Sequence, residues 1–463
     1  MRTPALVIAG THSGTGKTSV ALAAAAAFSR RGLRVQTFKV GPDFLDPSHL
    51  ALTSGRPCYN LDPWMCGAEY VTELFARKAA DADLAIVEGV MGLYDGASST
   101  TSEGSTAEVA RLLRAPILLV ADAHGAARSL AATVMGFVGF EPGLRFVGVL
   151  ANRCGSEQHG RWLAESLASA GAPAWCGAIP RGALPSLPSR HLGLVTADAT
   201  NLSPSVIETL ADAFERYAPV ERLLQAAREQ APEGHEPRKP EPVGPARRVR
   251  IGIARDRAFH FYYPDTLEAL EAAGVEWVAF SPLADACLPD GLDGLYLGGG
   301  YPEEHAADLS ANRPMREAVR AFCQSGRAVY AECGGLMYLS RGVERLDGTR
   351  HATVGILPVW TRMVEKRKAL GYVEVRLRAA SLWGAVGATA RGHEFHYSEL
   401  TAPSSEMSAW SQVYDLRRRR SEDVAGEGFQ RGRVLASYVH LHLGSRPDAV
   451  GAWVASCRRE GTA

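Results

Sequence analysis

Short apolar runs alternate with helical stretches along the first half of the chain. The first run, at residues 5–9, is followed by a Gly-rich loop and then by an Ala-rich segment that predicts a helix from residue 19 to about 31. Further runs rich in Leu or β-branched residues lie at 35–40, 84–87, 117–120 and 146–150. Strands that alternate with helices favour right-handed crossovers, and therefore a mostly parallel sheet.

The second half repeats this pattern after a break in composition. Residues 231–248 contain five prolines, several charges and almost no apolar side chain, so they predict an extended linker and not a core. We therefore predict two domains, at residues 1–230 and 249–463, each long enough to bury its own core. Strands of the second domain are expected at 249–254, 277–280, 294–297, 328–331 and 433–443.

Composition and charge exclude several classes of protein. The chain has 463 residues, of which 46% are hydrophobic and 22% are charged, as is usual for globular proteins. Fifty basic residues balance fifty acidic ones, which argues against a protein that coats nucleic acid. No apolar run approaches the length of a membrane span, and the first ten residues predict a strand and not a signal peptide. Eight cysteines without a C-x-x-C pair indicate reduced thiols, so we expect a cytoplasmic protein.

A Gly-rich loop, GTHSGTGKT, joins the first predicted strand to the first predicted helix. Its glycines can turn backbone N–H groups inward at a helix N-terminus, which is a typical anion site. Lys17 would then meet the outer phosphates of a nucleotide, and Thr18 would bind Mg²⁺. Five residues, and not the usual four, separate Gly10 from Gly16. The residues expected to bind the nucleotide here are Ser13, Gly14, Thr15, Gly16, Lys17 and Thr18.

Charged side chains follow the second and third predicted strands. Lys39 and Asp43 lie in KVGPDFLDPSH, which ends the second, and Glu88 lies in VEGVMGLYDG, which ends the third. Ligands bind at the carboxyl ends of strands in an open parallel sheet, so these side chains should converge near the phosphate loop. Carboxylates there are suitable Mg²⁺ ligands. We assign Lys39 to the nucleotide, Thr18, Asp43 and Glu88 to the metal, and Asp46 and Asp95 to the substrate.

The second half contains a candidate nucleophile at a sharp turn. Cys333 lies in YAECGGLM directly after a short apolar strand, where a helix N-terminus is expected to lower the pKa of a thiol. His440, in SYVHLH, offers a general base. The run LGGGYPE predicts backbone N–H donors for an oxyanion hole. We assign these donors to Gly299, Gly300 and Gly334.

Together these motifs resemble the cobyrinic acid a,c-diamide synthase family, including its hydrogenobyrinic acid members. The loop spacing is similar to that of the dethiobiotin-synthetase-like branch of phosphate-loop enzymes. The segments LPSRHLGL at 187–194 and GHEFHYS at 392–398 extend the resemblance over nearly the whole chain. It implies ATP- and glutamine-dependent amidation of two acetate side chains on a corrin ring. It also implies that Asn152 lies near the adenine, with an Asn that caps a turn as the alternative.

The resemblance implies an α/β fold in two parts: a phosphate-loop, dethiobiotin-synthetase-like parallel-sheet domain and a class I glutamine amidotransferase-like domain. The wider amidotransferase class has His-x-Glu where this chain has His440-Leu-His442, so the third triad residue stays open. The missing Glu also predicts a glutaminase that is weak until the partner site is loaded. On one strand at 433–443 both histidines would share a face, and the resemblance then places the base at His440.

Several alternatives stay open at this point. A ParA/MinD-like nucleotide switch with a dead glutaminase domain is disfavoured because Cys333 and His440 are both present. A cobyric acid synthase would have an Asn-rich motif in place of KVGPD. A nickel-sirohydrochlorin a,c-diamide synthase shares most motifs, and the presence of cobalt in the ring, the order of the two amidations and a homodimer all stay open. His393 and His396 could form a metal motif, but we favour a structural or substrate-facing role.

Overall fold

The computed structural model describes residues 3–187, 189–190, 193–194, 202–231, 248–401, 404–419, 421 and 423–458. The chain divides into two compact units, Met1–Lys239 and Pro240–Ala463, each with its own hydrophobic core. Except for its two end residues, the predicted linker at 231–248 lies outside the described residues. The LPSRHLGL motif also lies outside them beyond Leu187, apart from the backbone of 189–190 and 193–194.

The first unit alternates strands with helices, as predicted. Its strands are Ala5–Gly10 (β1), Val35–Val40 (β2), Tyr59–Leu61 (β3), Leu84–Glu88 (β4), Ile117–Asp122 (β5), Phe146–Cys154 (β6), Trp175–Pro180 (β7), Ser189–Arg190 (β8) and Gly193–Leu194 (β9). Its helices are Lys17–Arg30 (α1), Leu45–Ser54 (α2), Pro63–Cys66 (α3), Ala68–Ala79 (α4), Thr106–Leu112 (α5), Ser129–Phe140 (α6), Glu157–Ser169 (α7), Pro204–Tyr217 (α8) and Val220–Glu229 (α9).

The main sheet of this unit is parallel and is covered on both faces. Its strand order is β3-β2-β4-β1-β5-β6-β7, so β1 lies in the middle between β4 and β5. Alternate residues of β1 enter two different cores, Leu6 and Ile8 on one face and Val7 on the other. A strand buried on both faces needs a continuous apolar run, which explains why the sequence pattern predicted β1.

Helix α1 packs closely on one face of this sheet. Residues 21–27 of α1 are Ala except for Leu22, and all of them are buried. Their small side chains allow the helix axis to lie near the strands and near α8, where Phe28 meets Phe214 edge-on with ring centroids 6.2 Å apart. This packing fixes the N-terminus of α1 at the end of β1, and with it the phosphate loop.

The second unit combines parallel and antiparallel strands. Its strands are Val249–Ala254 (β10), Val275–Phe280 (β11), Gly294–Leu297 (β12), Ala328–Glu332 (β13), Gly342–Glu344 (β14), Arg350–Ala352 (β15), Trp360–Met363 (β16), Ala369–Leu377 (β17), Thr389–His396 (β18), Ser398–Thr401 (β19), Ser411–Arg418 (β20), Val424–Arg431 (β21), Val434–Ser437 (β22) and His440–Leu441 (β23). Its helices are Pro264–Ala272 (α10), Ala306–Ala311 (α11), Arg313–Gln324 (α12), Gly334–Leu339 (α13) and Asp448–Cys457 (α14), with 3₁₀ turns at Ser404–Ala409 and Leu443–Ser445.

The large sheet of the second unit has the order β11-β10-β12-β13-β22-β21-β20-β17-β18-β23. The strands from β11 to β22 are parallel, and those from β22 to β23 pair antiparallel. A smaller sheet has the order β15-β14-β16-β19. Cys333 follows β13, which lies between β12 and β22, so Cys333 is at the carboxyl edge of the parallel part of the large sheet.

The single strand predicted at 433–443 is wrong, because this segment forms β22 and β23 with different partners. β22 pairs with β13, and β23 pairs with β18. Between them the Tyr438 N–H donates to Glu427 Oε1 at 2.8 Å and the Val439 N–H donates to Ser437 Oγ at 3.0 Å. Side-chain oxygens therefore take the donors that a continuous ladder would use.

The sequence pattern also missed strands β3 and β7 and the block from β14 to β21. These strands are short, or they carry polar residues at buried positions, as β21 does at Glu427. Among the helices of the described residues, none is long and apolar enough to cross a membrane.

Candidate active sites

The phosphate loop is tightly packed around its glycines. Gly14 and Gly16 have φ angles of 84° and 86°, a backbone conformation that side chains rarely adopt. A Cβ on Gly16 would lie 2.3 Å from Asn152 Nδ2, and one on Gly10 would lie 2.5 Å from Thr15 Oγ1. The loop therefore requires glycine at these positions, and it presents the N-terminus of α1 in the way an anion site needs.

Two residues at the end of β6 donate side-chain hydrogen bonds to backbone carbonyls of this loop. Asn152 is buried, and its Nδ2 donates to the Thr15 carbonyl at 2.8 Å. Arg153 donates to the Gly14 carbonyl at 2.6 Å and pairs with Asp122 at 2.7 Å. In this structure Asn152 supports the loop, and its contact with adenine stays a prediction. The sequence did not single out Arg153, whose φ of 59° is visible only in the structure.

Lys17 and Lys39 are both buried, and they lie near enough for their charges to interact. Burial, followed by the charge of Lys39, lowers the pKa of Lys17. Burial alone would also lower the pKa of Lys39, but the carboxylates of Asp46 and Glu88 outweigh it and raise that pKa. Lys17 thus gains most from a phosphate, whereas Lys39 already has its counter-charges.

Lys39 joins two carboxylates that follow different strands. Its Nζ lies 2.7 Å from Asp46 Oδ2, 2.9 Å from Glu88 Oε1 and 3.1 Å from the Gly89 carbonyl. β2 and β4 are neighbours in the sheet, with Lys39 directly opposite Glu88. Thr18 completes the group, since its hydroxyl donates to Glu88 Oε1 at 2.5 Å and lies 3.4 Å from Asp46 Oδ2.

The two remaining predicted carboxylates have structural contacts. Asp43 Oδ1 accepts hydrogen bonds from the backbone N–H groups of Leu45 and Asp46, at the start of α2, at 2.8 and 3.2 Å. Asp95 Oδ2 accepts from the Gly92 N–H at 2.8 Å and thereby closes a turn after β4. The structure brings Asp46 next to Thr18, on the same ammonium group as Glu88, and the role of Asp43 as a metal ligand stays a prediction.

The oxygens around Thr18 fit a small hard cation. Within the described residues, Glu88 Oε2 is buried without a hydrogen-bond partner, so it can accept a ligand. The neighbouring oxygens belong to Thr18 and Asp46, which are the donor types that Mg²⁺ prefers. The described residues contain no group of three or more His, Cys, Asp or Glu that could hold a metal by itself. Phosphate and water would therefore complete the coordination.

In the second unit, Cys333 occupies a strained turn between β13 and α13. Its φ of 46° and ψ of −98° are unusual for a residue with a side chain, and strain of this kind is frequent at functional sites. Burial raises the pKa of the Cys333 thiol, and the N–H of Gly334 acts in the opposite direction but is outweighed. The predicted lowering of this pKa is therefore wrong, because the thiol is only 6% exposed.

The Gly-rich run after β12 lies directly beside this turn. A Cβ on Gly334 would lie 3.1 Å from the Gly300 nitrogen, so the two backbones approach closely. Gly300 has a φ of 155°, and a Cβ there would lie 2.1 Å from the Ala258 carbonyl. A Cβ on Gly299 would lie 2.4 Å from His440 Cε1. The predicted donors and the predicted base thus surround one turn, although their roles stay predictions.

His440 and His442 have different surroundings. The His440 ring stacks on His393 with centroids 5.0 Å apart, and burial, followed by His396, lowers the pKa of His440 to about 3. His442 Nε2 lies 3.5 Å from Asp265 Oδ2, and its Nδ1 accepts the Gly444 N–H at 3.1 Å. Only His440 adjoins the Gly-rich run, which favours it as the base.

A cavity of about 430 Å³ lies in the second unit near this turn. Its wall includes Tyr438, which follows Ser437, and the Ser437 carbonyl accepts the Cys333 N–H at 2.7 Å. The cavity is lined by charges of both signs, with Arg418 paired to Glu394 at 2.8 Å. The charged lining residues are Lys368, Glu394, Glu399, Arg418 and Glu427.

Comparisons with known proteins agree with both sites. Residues 6–195 match the model of the CobQ/CobB/MinD/ParA nucleotide-binding domain, and residues 250–448 match that of the CobB/CobQ-like glutamine amidotransferase domain. A cobyrinate a,c-diamide synthase of Syntrophotalea carbinolica is 56% identical over 99% of this chain and 100% of its own length. The chain belongs to the cobyrinate a,c-diamide synthase family.

Other members of this family match along their whole length as well. A cobyrinate a,c-diamide synthase of Leptospira interrogans is 41% identical over 99% of this chain and 100% of its own. A hydrogenobyrinate a,c-diamide synthase of Stutzerimonas stutzeri is 43% identical over 97% of this chain and 98% of its own. The family therefore covers both units of the chain, and the resemblance drawn from the motifs is confirmed.

The structure places the predicted site residues in two groups, one in each unit. The phosphate loop, Lys39, Asp46 and Glu88 lie together in the first unit, and Cys333, His440 and the glycine donors lie together in the second. Asp43, Asp95 and Asn152 contact backbone groups of the protein itself. His393 bonds Tyr263 through Nδ1 at 3.1 Å, and His396 stacks on Tyr438 in the wall of the cavity, so a structural or a substrate-facing role for these histidines stays a prediction.

Proposed function

We propose that this protein amidates the a- and c-acetate carboxylates of cobyrinate, or of metal-free hydrogenobyrinate, at the expense of ATP. Glutamine or free ammonia supplies the nitrogen. The observation that carries this proposal is the presence, in one chain, of a phosphate loop beside the Lys39 carboxylate cluster and of a Cys333–His440 site. Full-length relatives named cobyrinate and hydrogenobyrinate a,c-diamide synthase support the choice of substrate.

In the first unit the chemistry begins with a poor electrophile, the substrate carboxylate. Lys17 and the loop N–H groups would hold the γ-phosphate of ATP in line with a carboxylate oxygen. Transfer of the phosphoryl group gives an acyl phosphate and ADP, and ammonia then displaces phosphate to form the amide. Mg²⁺ held by Thr18 and Glu88, with Asp46 nearby, would neutralise phosphate charge.

In the second unit Cys333 would attack the side-chain amide of glutamine. His440 would take the thiol proton and return it to the departing ammonia. The N–H groups of Gly299, Gly300 and Gly334 would hold the oxyanion of the tetrahedral intermediate, and the close approach of the Gly300 and Gly334 backbones supports this. Water then hydrolyses the glutamyl thioester, which releases glutamate and restores the thiol.

The charged cavity near Cys333 suits the amino-acid end of glutamine. A free amino acid carries both an ammonium and a carboxylate group, so its site needs charges of both signs. Arg418 and Lys368 would meet the carboxylate, and Glu394 or Glu427 would meet the ammonium group. ATP and a reduced catalytic thiol are both supplied in the cytoplasm, where we place the reaction.

A mass-spectrometric assay tests this function directly. The purified protein is incubated with ATP, Mg²⁺ and glutamine, together with cobyrinate, hydrogenobyrinate, nickel sirohydrochlorin or cobyrinate a,c-diamide in separate reactions. We expect products with one and then two amide groups from cobyrinate or hydrogenobyrinate. Amidation of nickel sirohydrochlorin alone, or of the a,c-diamide alone, would replace the proposal with the corresponding other synthase.

A further inference from the structure

The residue directly before the nucleophile is a buried acid. Glu332 ends β13 and is 3% exposed. Glu332 directly precedes Cys333 in the chain, and its carboxylate faces His440. Because this chain has His442 in place of the Glu that usually follows the base, the acid that orients the base has to come from elsewhere.

The ring of His440 is turned so that each nitrogen faces a different group. Nδ1 lies 3.9 Å from Glu332 Oε2. Nε2 lies on the side of the Gly-rich run, where a Cβ on Gly299 would be 3.3 Å away from it. A general base of this kind needs one ring nitrogen toward an acid, and Nδ1 of His440 is the nitrogen that faces one.

The Glu332 carboxylate is itself held firmly in place. Tyr330 donates its hydroxyl to Oε1 at 2.7 Å, and Tyr296 donates to Oε2 at 2.8 Å. The N–H of Leu441 donates to Oε1 at 3.1 Å. Leu441 follows His440 in β23, so the acid also fixes the backbone that carries the base.

We propose that Glu332 is the positioning residue of the glutaminase site and occupies the place of the missing triad acid. This inference rests on the proposed function, because it requires that glutamine is hydrolysed at Cys333. The Glu332 carboxylate accepts the Nδ1–H of His440, which leaves the Nε2 lone pair free for the thiol proton. The proton moves from Sγ to Nε2, and Glu332 stays ionised and stabilises the imidazolium.

The distance between the two groups must shorten when the site is loaded. At 3.9 Å the pair is about 1 Å longer than a hydrogen bond, and catalytic hydrogen bonds often tighten only with substrate bound.

Asp265 is the rival for this role. It is buried and faces a histidine of the same cluster, but that histidine is His442, at 3.5 Å. The Tyr263 ring lies against His442 with centroids 4.3 Å apart, and its hydroxyl contacts His393. Asp265 therefore provides a matched control: a buried acid beside a histidine that does not adjoin the Gly-rich run.

The pH dependence of glutamine hydrolysis should report on Glu332. Burial raises the pKa of Glu332 to about 7, and the hydrogen bonds of Tyr330, Tyr296 and Leu441 lower it only partly. Since the charged form is the active one, activity is present above this pKa and is lost as the pH falls through it. The titratable groups that face Glu332 are Tyr330, Cys333, Tyr296, Tyr262, Tyr414 and His440.

The test compares Glu332→Gln and Glu332→Asp with Asp265→Asn. Glutamine hydrolysis is measured with ATP and corrinoid present, because the site is expected to be active only when loaded. We expect Glu332→Gln to lower kcat by about 10²-fold or more with KM changed by less than about threefold. Glu332→Asp should recover part of this loss, and Asp265→Asn should stay within about threefold of wild type.

A second readout covers the case in which Glu332→Gln does not fold. Tyr296→Phe keeps Glu332 but removes a hydrogen bond that lowers the pKa of its carboxyl group. In a plot of kcat/KM against pH, the loss of activity on the acid side should therefore move to higher pH. An unchanged pH profile, or a Glu332→Gln enzyme that folds and keeps wild-type kcat, would overturn the assignment. A dominant effect of Asp265→Asn would transfer the role to Asp265. A wild-type protein that hydrolyses no glutamine would instead reject the proposed function.

Discussion

Two acidic residues three positions apart, Asp43 and Asp46, have opposite electrostatic environments. Burial, followed by the charge of Asp46, raises the pKa of Asp43. The ammonium group of Lys39, 2.7 Å away, outweighs burial and lowers the pKa of Asp46. Asp46 is therefore the carboxylate held ionised beside Thr18, whereas Asp43 stabilises the first turn of α2.

This difference predicts unequal effects of two matched substitutions. Glu88→Gln removes an oxygen that contacts Thr18, so the Mg²⁺ concentration needed for half-maximal ammonia-dependent amidation should rise by roughly tenfold or more. Asp43→Asn keeps an oxygen that can accept the backbone N–H groups of α2, so the requirement should stay within about threefold of wild type. Mg²⁺ titrations of the three proteins provide the measurement. An equal rise of the Mg²⁺ requirement in both variants would mean that Asp43 is a metal ligand as well.

The sequence motifs identified the functional residues. They did not reveal which groups each of these residues contacts. Lys17, Glu88 and Cys333 were identified because their types and spacings serve one chemistry. The contacts of Asn152 and Arg153 with the phosphate loop join positions more than a hundred residues apart, and no local pattern encodes them. The pKa of the Cys333 thiol was predicted in the wrong direction because burial depends on the packing of the whole unit.

At the scale of elements, the strands that the pattern predicted best are the parallel ones. β1, β5 and β12 are short, mainly apolar runs because both of their faces are buried. The antiparallel strands β17 to β21 have mixed residues, since their partners lie far along the chain and their faces differ in burial. The break between β22 and β23 depends on Glu427, which no periodicity of that segment reveals.

The loop after β12 should tolerate even one added methyl group poorly. Gly300→Ala would place a Cβ about 2 Å from the Ala258 carbonyl at a φ that side chains avoid. We expect glutamine-dependent activity to fall by about 10²-fold, because an oxyanion donor is displaced. Ammonia-dependent activity measured on the same sample should be retained.

Gly451→Ala provides the control for this substitution. Gly451 lies in α14, and an added Cβ there would meet nothing within 4 Å. Glutamine hydrolysis by this variant should match that of wild type. Equal losses in both glycine variants would mean that the second unit responds to alanine in general and not to the geometry of the oxyanion hole.

At the scale of the molecule, each unit has its own cores and its own chemistry. Cys333→Ala should therefore abolish glutamine-dependent amidation but leave ammonium-driven amidation within about twofold of wild type. Product formation is measured with glutamine and with ammonium chloride as alternative nitrogen sources. A folded variant that has lost both activities would contradict two separable sites.

The complementary substitution is Lys17→Ala in the phosphate loop. Both nitrogen sources require the acyl phosphate, so amidation with either should fall by roughly 10³-fold or more. Product formation with glutamine and with ammonium chloride is the measurement. Ammonia-driven amidation that survives at the wild-type rate would show that the loop does not serve phosphoryl transfer.

Burial of Cys333 has a consequence for how the protein behaves in air and toward reagents. Oxidants and alkylating agents react with thiolates, and a thiol that is 6% exposed and has a raised pKa offers little of that form. Cys287 is exposed, so iodoacetamide should label it first and leave the nucleophile intact. The purified enzyme should then keep its activity without added reductant. An electrophile that is meant to inactivate it would have to resemble glutamine, so that the substrate cavity delivers it to the sulfur.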